Sequence, residues 1–205
     1  MTRPRTGRAG TRLIGTALVG AALLGVLAMA SCAGPTTSSA AAPAAPAGAA
    51  GAMPPRPREL PLNGIDACSV ITSPLRTQLG VSSRMDRNRP ADNLISSDCE
   101  WTNFPAQPQL ALSVRLVLNR GIEPYLSQPG AQVITVSGFG AVELPALPAN
   151  PAQGCIVRLD VASGQSAWVS FTSSGPIPGR TYDEMCARAR TAAASVLAQL
   201  LARVR

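Results

Sequence analysis

The stretch "LALSVRLVL", residues 110–118, decides the fold class. Leu110, Leu112, Val114, Leu116 and Leu118 fall on one side of an extended chain, with Ser113 and Arg115 on the other. A period of two with one apolar and one polar side marks a strand buried on a single face. Before it, "CEWTNF" (residues 99–104) reads as a short strand. After it, residues 133–136, 139–144, 155–161 and 167–172 read as further strands, and Gly164 with Gln165 marks a hairpin turn between the last two. No stretch between these strands has the length and period of a crossover helix. The sheet is therefore expected to be mostly antiparallel, with about five or six strands.

Two helices frame these strands. In "DACSVITSPLRTQLG", Ser73 reads as the N-cap, Pro74 suits the first helical position and Gly80 stops the helix. The polar run that follows, up to Asp98, reads as a loop. At the other end, Thr181 and Glu184 have capping-box spacing. Met185, Ala189, Ala193, Val196, Leu197, Leu200, Leu201 and Val204 then form one apolar stripe, while Arg203 and Arg205 suit the negative end of the helix dipole. A stripe of this width packs on a sheet more often than on a membrane. The expected fold is α+β, in two layers, with a short N-terminal and a long C-terminal helix covering one sheet face.

The N-terminus reads as an address. Arg3, Arg5, Arg8 and Arg12 precede an uncharged, apolar run of about 18 residues, the anatomy of a secretory signal peptide. Three outcomes compete at its end. Ala28 and Ala30 fit ordinary signal-peptidase cleavage before Ser31, and an uncleaved anchor helix is a second possibility. The third is a lipobox: Met29-Ala30-Ser31-Cys32 resembles the bacterial signal in which diacylglycerol alkylates the cysteine thiol and a peptidase cuts just before it. Met29 stands where Leu is usual. Of the five cysteines, assigning Cys32 to lipid leaves four that can pair in an oxidising compartment. The expected organisation is a signal peptide over 1–31, a lipidated Cys32 with a disordered Ala/Pro-rich spacer over 32–61, and a disulfide-stabilised domain over 62–205. The spacer lacks the apolar bulk to offset its ordering entropy, and its removal is expected to leave the unfolding midpoint unchanged. Thr36, Thr37, Ser38 and Ser39 read as solvating residues, with O-glycosylation as the alternative.

Composition narrows the function classes. The four signal arginines leave 14 Arg against 11 Asp and Glu, so the mature chain is only +3. The arginines are scattered and aromatics make up 3%, so no nucleic-acid partner is expected. The chain has no His, which excludes Ser-His-Asp and Cys-His catalysis and removes the commonest metal ligand. Acid–base chemistry would fall to carboxylates, Tyr125 or Tyr182. Asp98 and Glu100 read as a solvated strand edge, and Asp183 and Glu184 as helix-start residues. No catalytic residue, cofactor or metal site is expected.

Cys68 to Cys99 and Cys155 to Cys186 are each 31 residues apart. Spacing alone leaves three connectivities open. We expect this local pairing, which would tie the first helix to the first strand and a late strand to the last helix. Its main rival joins Cys68 to Cys186 and Cys99 to Cys155. A zinc site is disfavoured because the chain has no C-x-x-C pair and no His.

The "DACS" at residues 66–69, the "CEW" at 99–101 and the "VSGFGAVEL" at 136–144 together resemble a family of secreted actinobacterial (mycobacterial-type) lipoproteins of unknown function. That family pattern is Asp-Pro-Cys-Ser, then Cys-x-Trp, then a Gly-x-Gly turn and a terminal helix. Here Ala67 replaces the usual Pro. The resemblance implies an envelope lipoprotein with no established reaction, and it implies that the first cysteine pairs with the Cys-x-Trp cysteine.

The functional expectation is therefore a membrane-anchored extracytoplasmic lipoprotein, held to the cell membrane by its N-terminal lipid and acting as a non-catalytic binding module for an envelope protein, glycan or lipid. Alternatives are an accessory subunit of an envelope complex and a lipid or small-molecule carrier. Trp101, two residues past Cys99, is expected to pack beside a disulfide, and is a second candidate contact residue, an aromatic platform for a glycan or lipid, if it is exposed. Trp168 lies opposite Val169 and Phe171 and is the better candidate contact residue. Gly138 and Gly140 read as a tight turn or bulge rather than a phosphate loop.

Overall fold

The computed structural model describes residues 52–85 and 93–204. Seven strands form one sheet: β1 (Ser83–Met85), β2 (Ser96–Thr102), β3 (Leu110–Val117), β4 (Gln132–Val136), β5 (Phe139–Pro145), β6 (Gly154–Ala162) and β7 (Gln165–Ser173). Their spatial order is β1-β2-β3-β7-β6-β5-β4, and every pairing is antiparallel. The chain builds one half of the sheet, crosses from β3 at the centre to β4 at the far edge, and returns strand by strand until β7 closes on β3. No parallel pair arises, so no crossover helix is needed.

The sheet has one strand more than the upper expectation. β1 is that strand, and it lies in the polar run read as a loop. Three residues with only an edge pairing carry no apolar alternation, so periodicity cannot find them. Pairing with β3 also begins at Ser96, three residues before the expected start at Cys99.

Two helices cover one face. α1 (Ser73–Leu79) is capped by Thr72, whose hydroxyl accepts from the Leu75 amide; the cap is one residue earlier than expected. Gly80 ends α1 at φ 72°, a left-handed conformation that glycine adopts without a Cβ penalty. α2 (Tyr182–Arg203, 22 residues) starts with the expected capping box between Thr181 and Glu184. Met185, Ala189, Ala193, Val196, Leu197 and Leu200 are buried against the sheet, and Leu201 and Val204 lie at the margin. Opposite them, Leu112, Val114 and Leu116 of β3 and Val169 and Phe171 of β7 are fully or almost fully buried. Each such side chain contributes about 1.5–3 kcal/mol on leaving water, so this seam dominates the stability of the fold.

Two disulfides close the layers. Cys68–Cys99 and Cys155–Cys186 each have Cα atoms 5.0 Å apart, within the usual range for the bond. The local pairing is the one formed, and the rival is not. Cys68 sits in a 3-10 turn (Ala67–Val70) ahead of α1, not in the helix itself, and Cys99 is on the second strand.

The signal peptide expected over residues 1–31, Cys32, the Thr36–Ser39 cluster and Arg205 lie outside the described residues. The described part of the spacer corrects an expectation. Leu60 and Leu62 are fully buried, and the Leu60 amide donates to the Val161 carbonyl. Arg56 bonds Asp160 at 2.7 Å, and Glu59 accepts from the Ser163 amide at 2.7 Å. Residues 52–61, expected within the disordered spacer, are instead docked, because Leu60, the Arg56–Asp160 ion pair and the Glu59 bond to the Ser163 amide outweigh the surrounding proline.

Candidate functional site

The face of the sheet turned away from α2 is built by the opposite phase of the same strands. Register sets Asp98, Arg115, Trp168, Arg158 and Val142 side by side across β2, β3, β7, β6 and β5. The next row holds Glu100, Ser113, Ser170, Ile156 and Leu144. Directly opposed residues in antiparallel strands stand about 4.5–5.5 Å apart, so these rows are real neighbourhoods.

Half of this face is roofed. The crossing between β3 and β4 brings Ile122 and Tyr125 down onto Val142 and Leu144, forming a second small core that Met53 joins. Gly140 makes the roof possible: any Cβ there would collide with Met53 and come within 3.1 Å of Pro54. At the neighbouring turn, Ser137 and Gly138 have φ of 48° and 85°, a tight hairpin turn as expected, and the second glycine of the motif admits the N-terminal segment.

The other half stays open as a cleft of about 300 Å³, lined by Asp98, Glu100, Arg115, Ile156, Arg158, Trp168 and Ser170, among others. Three interactions organise it. Arg115 forms an ion pair with Asp98. The Ser113 hydroxyl donates to Glu100 at 2.9 Å. Arg158 lies between two rings, its guanidinium carbon 3.5 Å from the Tyr125 centroid and 4.5 Å from that of Trp168. Tyr125 and Trp168 meet edge to face at 5.2 Å, and the Trp168 indole N–H donates to Ser166. Burial pushes the Arg158 guanidinium down to about 10, and Arg115 adds like-charge repulsion; Tyr125 acts in the opposite sense.

A larger depression, about 520 Å³, runs between Leu79, the turn at residues 177–180 and the outer side of α2. It is shallow, and its charged groups Glu184, Arg180 and Arg188 are exposed or half-buried. It lacks the buried polar constellation of the sheet cleft.

Each expected contact residue can now be placed. Trp168 lines the cleft, half-buried, on the face predicted for it. Trp101 lies on the helix side, packed against the main core, with Arg76 stacked 3.9 Å from its ring centroid. The four paired cysteines fall on the helix side too, so the two tryptophans serve different layers. Near the second disulfide, the Glu143 carboxylate and the sulfurs of Cys155 and Cys186 lie within 4.8 Å of one another, but the sulfurs are bonded to each other and are not thiolate ligands. Arg190 reaches both Glu143 oxygens at 3.2 Å. Among the described residues, no helix is long and apolar enough to cross a membrane.

Sequence reasoning missed Arg158, Tyr125 and Ser170 as members of one site. A signal for Arg158 existed in "CIVRLDVA": two charges, Arg158 and Asp160, alternate with Val157, Leu159 and Val161, which sets both charges on the sheet face turned away from the core.

Residues 27–199 match the family described as "Protein of unknown function (DUF3558)". The chain belongs to this family. No curated protein and no solved structure matches it. The match begins ahead of Cys32 and runs almost to the end of α2, so it takes in the expected lipidation site as well as the whole sheet.

Proposed function

We propose that this DUF3558 chain is a membrane-anchored extracytoplasmic lipoprotein whose folded domain is a non-catalytic binding module of the cell envelope. The observation that carries the binding reading is the unroofed cleft on the sheet face opposite α2, where Trp168, Arg158 and Ser170 converge. The anchoring reading is supported by the basic and apolar N-terminus, the lipobox resemblance at Cys32 and the even number of cysteines left once Cys32 is set aside. Two acyl chains, at ~0.8 kcal/mol per buried methylene, would hold the chain on the membrane. A lipid carrier would need a cavity at the sheet–helix seam, and that seam is filled by Leu112, Val169, Phe171, Met185 and Leu197. This favours a ligand held on the open face.

Two experiments test the proposal. Mass spectrometry of membrane-extracted protein should find a diacylglyceryl-modified Cys32 at the N-terminus, and Cys32→Ala should release the domain or stall the precursor. An unmodified chain beginning at Ser31 refutes anchoring. For the module, small polar and aromatic fragments titrated into the labelled protein should shift signals from Trp168 and Ser170. Shifts confined to the helix side refute the cleft as the binding face.

A further inference from the structure

Arg158 is the one residue of the cleft whose charge the described protein leaves unanswered. It is 9% exposed, yet it forms no ion pair among the described residues. Its Nε is buried without a hydrogen-bond partner, and its only side-chain hydrogen bond among the described residues is a long one, in which Nη1 donates to the Gln128 side-chain oxygen at 3.4 Å. The faces of Tyr125 and Trp168 stabilise the positive charge, but a ring face cannot accept the in-plane N–H groups of a guanidinium. A buried cation with idle donors is costly unless something else answers it. Its neighbour across Trp168, Arg115, is already neutralised by Asp98.

We propose that the cleft binds a small ligand bearing a single carboxylate, with Arg158 as its receptor. This rests on the binding-module reading above and names its ligand class. A carboxylate offers the flat, two-oxygen face that a guanidinium fork matches. Ser170, diagonal to Arg158 through Ile156 on β6, supplies a hydroxyl donor on the same floor. One negative charge is the right number: Asp98 and Glu100 also line the cleft, and a doubly charged phosphate would face both of them. At about 300 Å³ the cleft suits a compact molecule, and Ile156 and Trp168 offer apolar surface to its uncharged part.

The test uses the full chain in detergent micelles, isotopically labelled at its two tryptophan indoles. N-acetyl-leucine, its neutral amide and inorganic phosphate are titrated separately. The acid should shift the Trp168 indole signal saturably, at least tenfold tighter than the amide and tighter than phosphate, while Trp101 stays still. Arg158→Gln should weaken the acid at least tenfold, with an unchanged Trp101 signal reporting an intact fold. Ser170→Ala, which removes only a hydroxyl, should weaken it several-fold. If acid and amide bind equally, or phosphate binds best, the carboxylate assignment is overturned and the binding module stands. If none of the three moves Trp168 and fragments also miss the cleft, both fall.

Discussion

Removing the Cys155–Cys186 bridge should cost more than removing Cys68–Cys99, although the two close loops of equal length. Each spans a sequence separation of 31. The chain-entropy model then gives each about 12 cal/mol/K of restricted unfolded-state freedom, or about 3.7 kcal/mol at 25 °C. The difference lies in packing. Cys155 and Cys186 are both fully buried at the β6–α2 seam, whereas Cys68 is half-exposed. Replacing the inner pair by alanine also leaves a small void, which adds about 1–2 kcal/mol. The double variant Cys155→Ala/Cys186→Ala should therefore lose about 5 kcal/mol, and Cys68→Ala/Cys99→Ala about 3–4 kcal/mol. Urea unfolding of both variants beside the parent measures this. Graded reduction checks the burial argument independently: Cys68–Cys99 should open first, because Glu143 beside the inner bridge also disfavours the thiolate needed for exchange. An inner-pair loss below about 1 kcal/mol, or an inner bridge that reduces first, would refute the reasoning.

Three further outcomes follow from single contacts. Arg56→Ala should destabilise the domain by about 1–2 kcal/mol, because it strips the cation from Asp160, a carboxylate whose side chain is only 10% exposed; an unchanged urea midpoint would mean that the N-terminal segment is not docked. Thr181→Ala should cost about 1 kcal/mol by opening the capping box of α2, read by the same unfolding experiment. Burial raises the Glu143 carboxyl above its ordinary 4.5, Asp183 adds to this, and Arg190 opposes it. The folded state thus holds that proton more tightly than the unfolded chain, so the contribution of Glu143 is most favourable below 4.5 and declines as pH rises through the raised value. Glu143→Gln should remove this slope, and a difference between parent and variant that stays flat across that window would contradict it.

The periodicity of residues 110–118 was enough to place the strand, its buried side and the antiparallel class, because alternation is a local property that the core enforces on every strand it touches. The capping box of α2 and the Gly80 stop were legible for the same reason: each is satisfied within a few residues. Neighbourhood was not legible. That Arg115, Trp168 and Arg158 share one row depends on β7 returning to pair with both β3 and β6, a choice no local pattern encodes. The docked segment failed differently. Its Ala/Pro composition argued for disorder, yet Leu60 and Leu62 alternate like a strand edge, and Arg56 and Glu59, which already pair with each other, reach Asp160 and the Ser163 amide only once β6 is in place. The same dependence explains why the cleft could not be anticipated from Trp168 alone. The tryptophan is a surface residue by phase, and it becomes the wall of a site only because the roof over Val142 and Leu144 ends beside it. That edge leaves Arg158 buried but lining the cleft, desolvated enough to be costly and still within reach of an incoming anion.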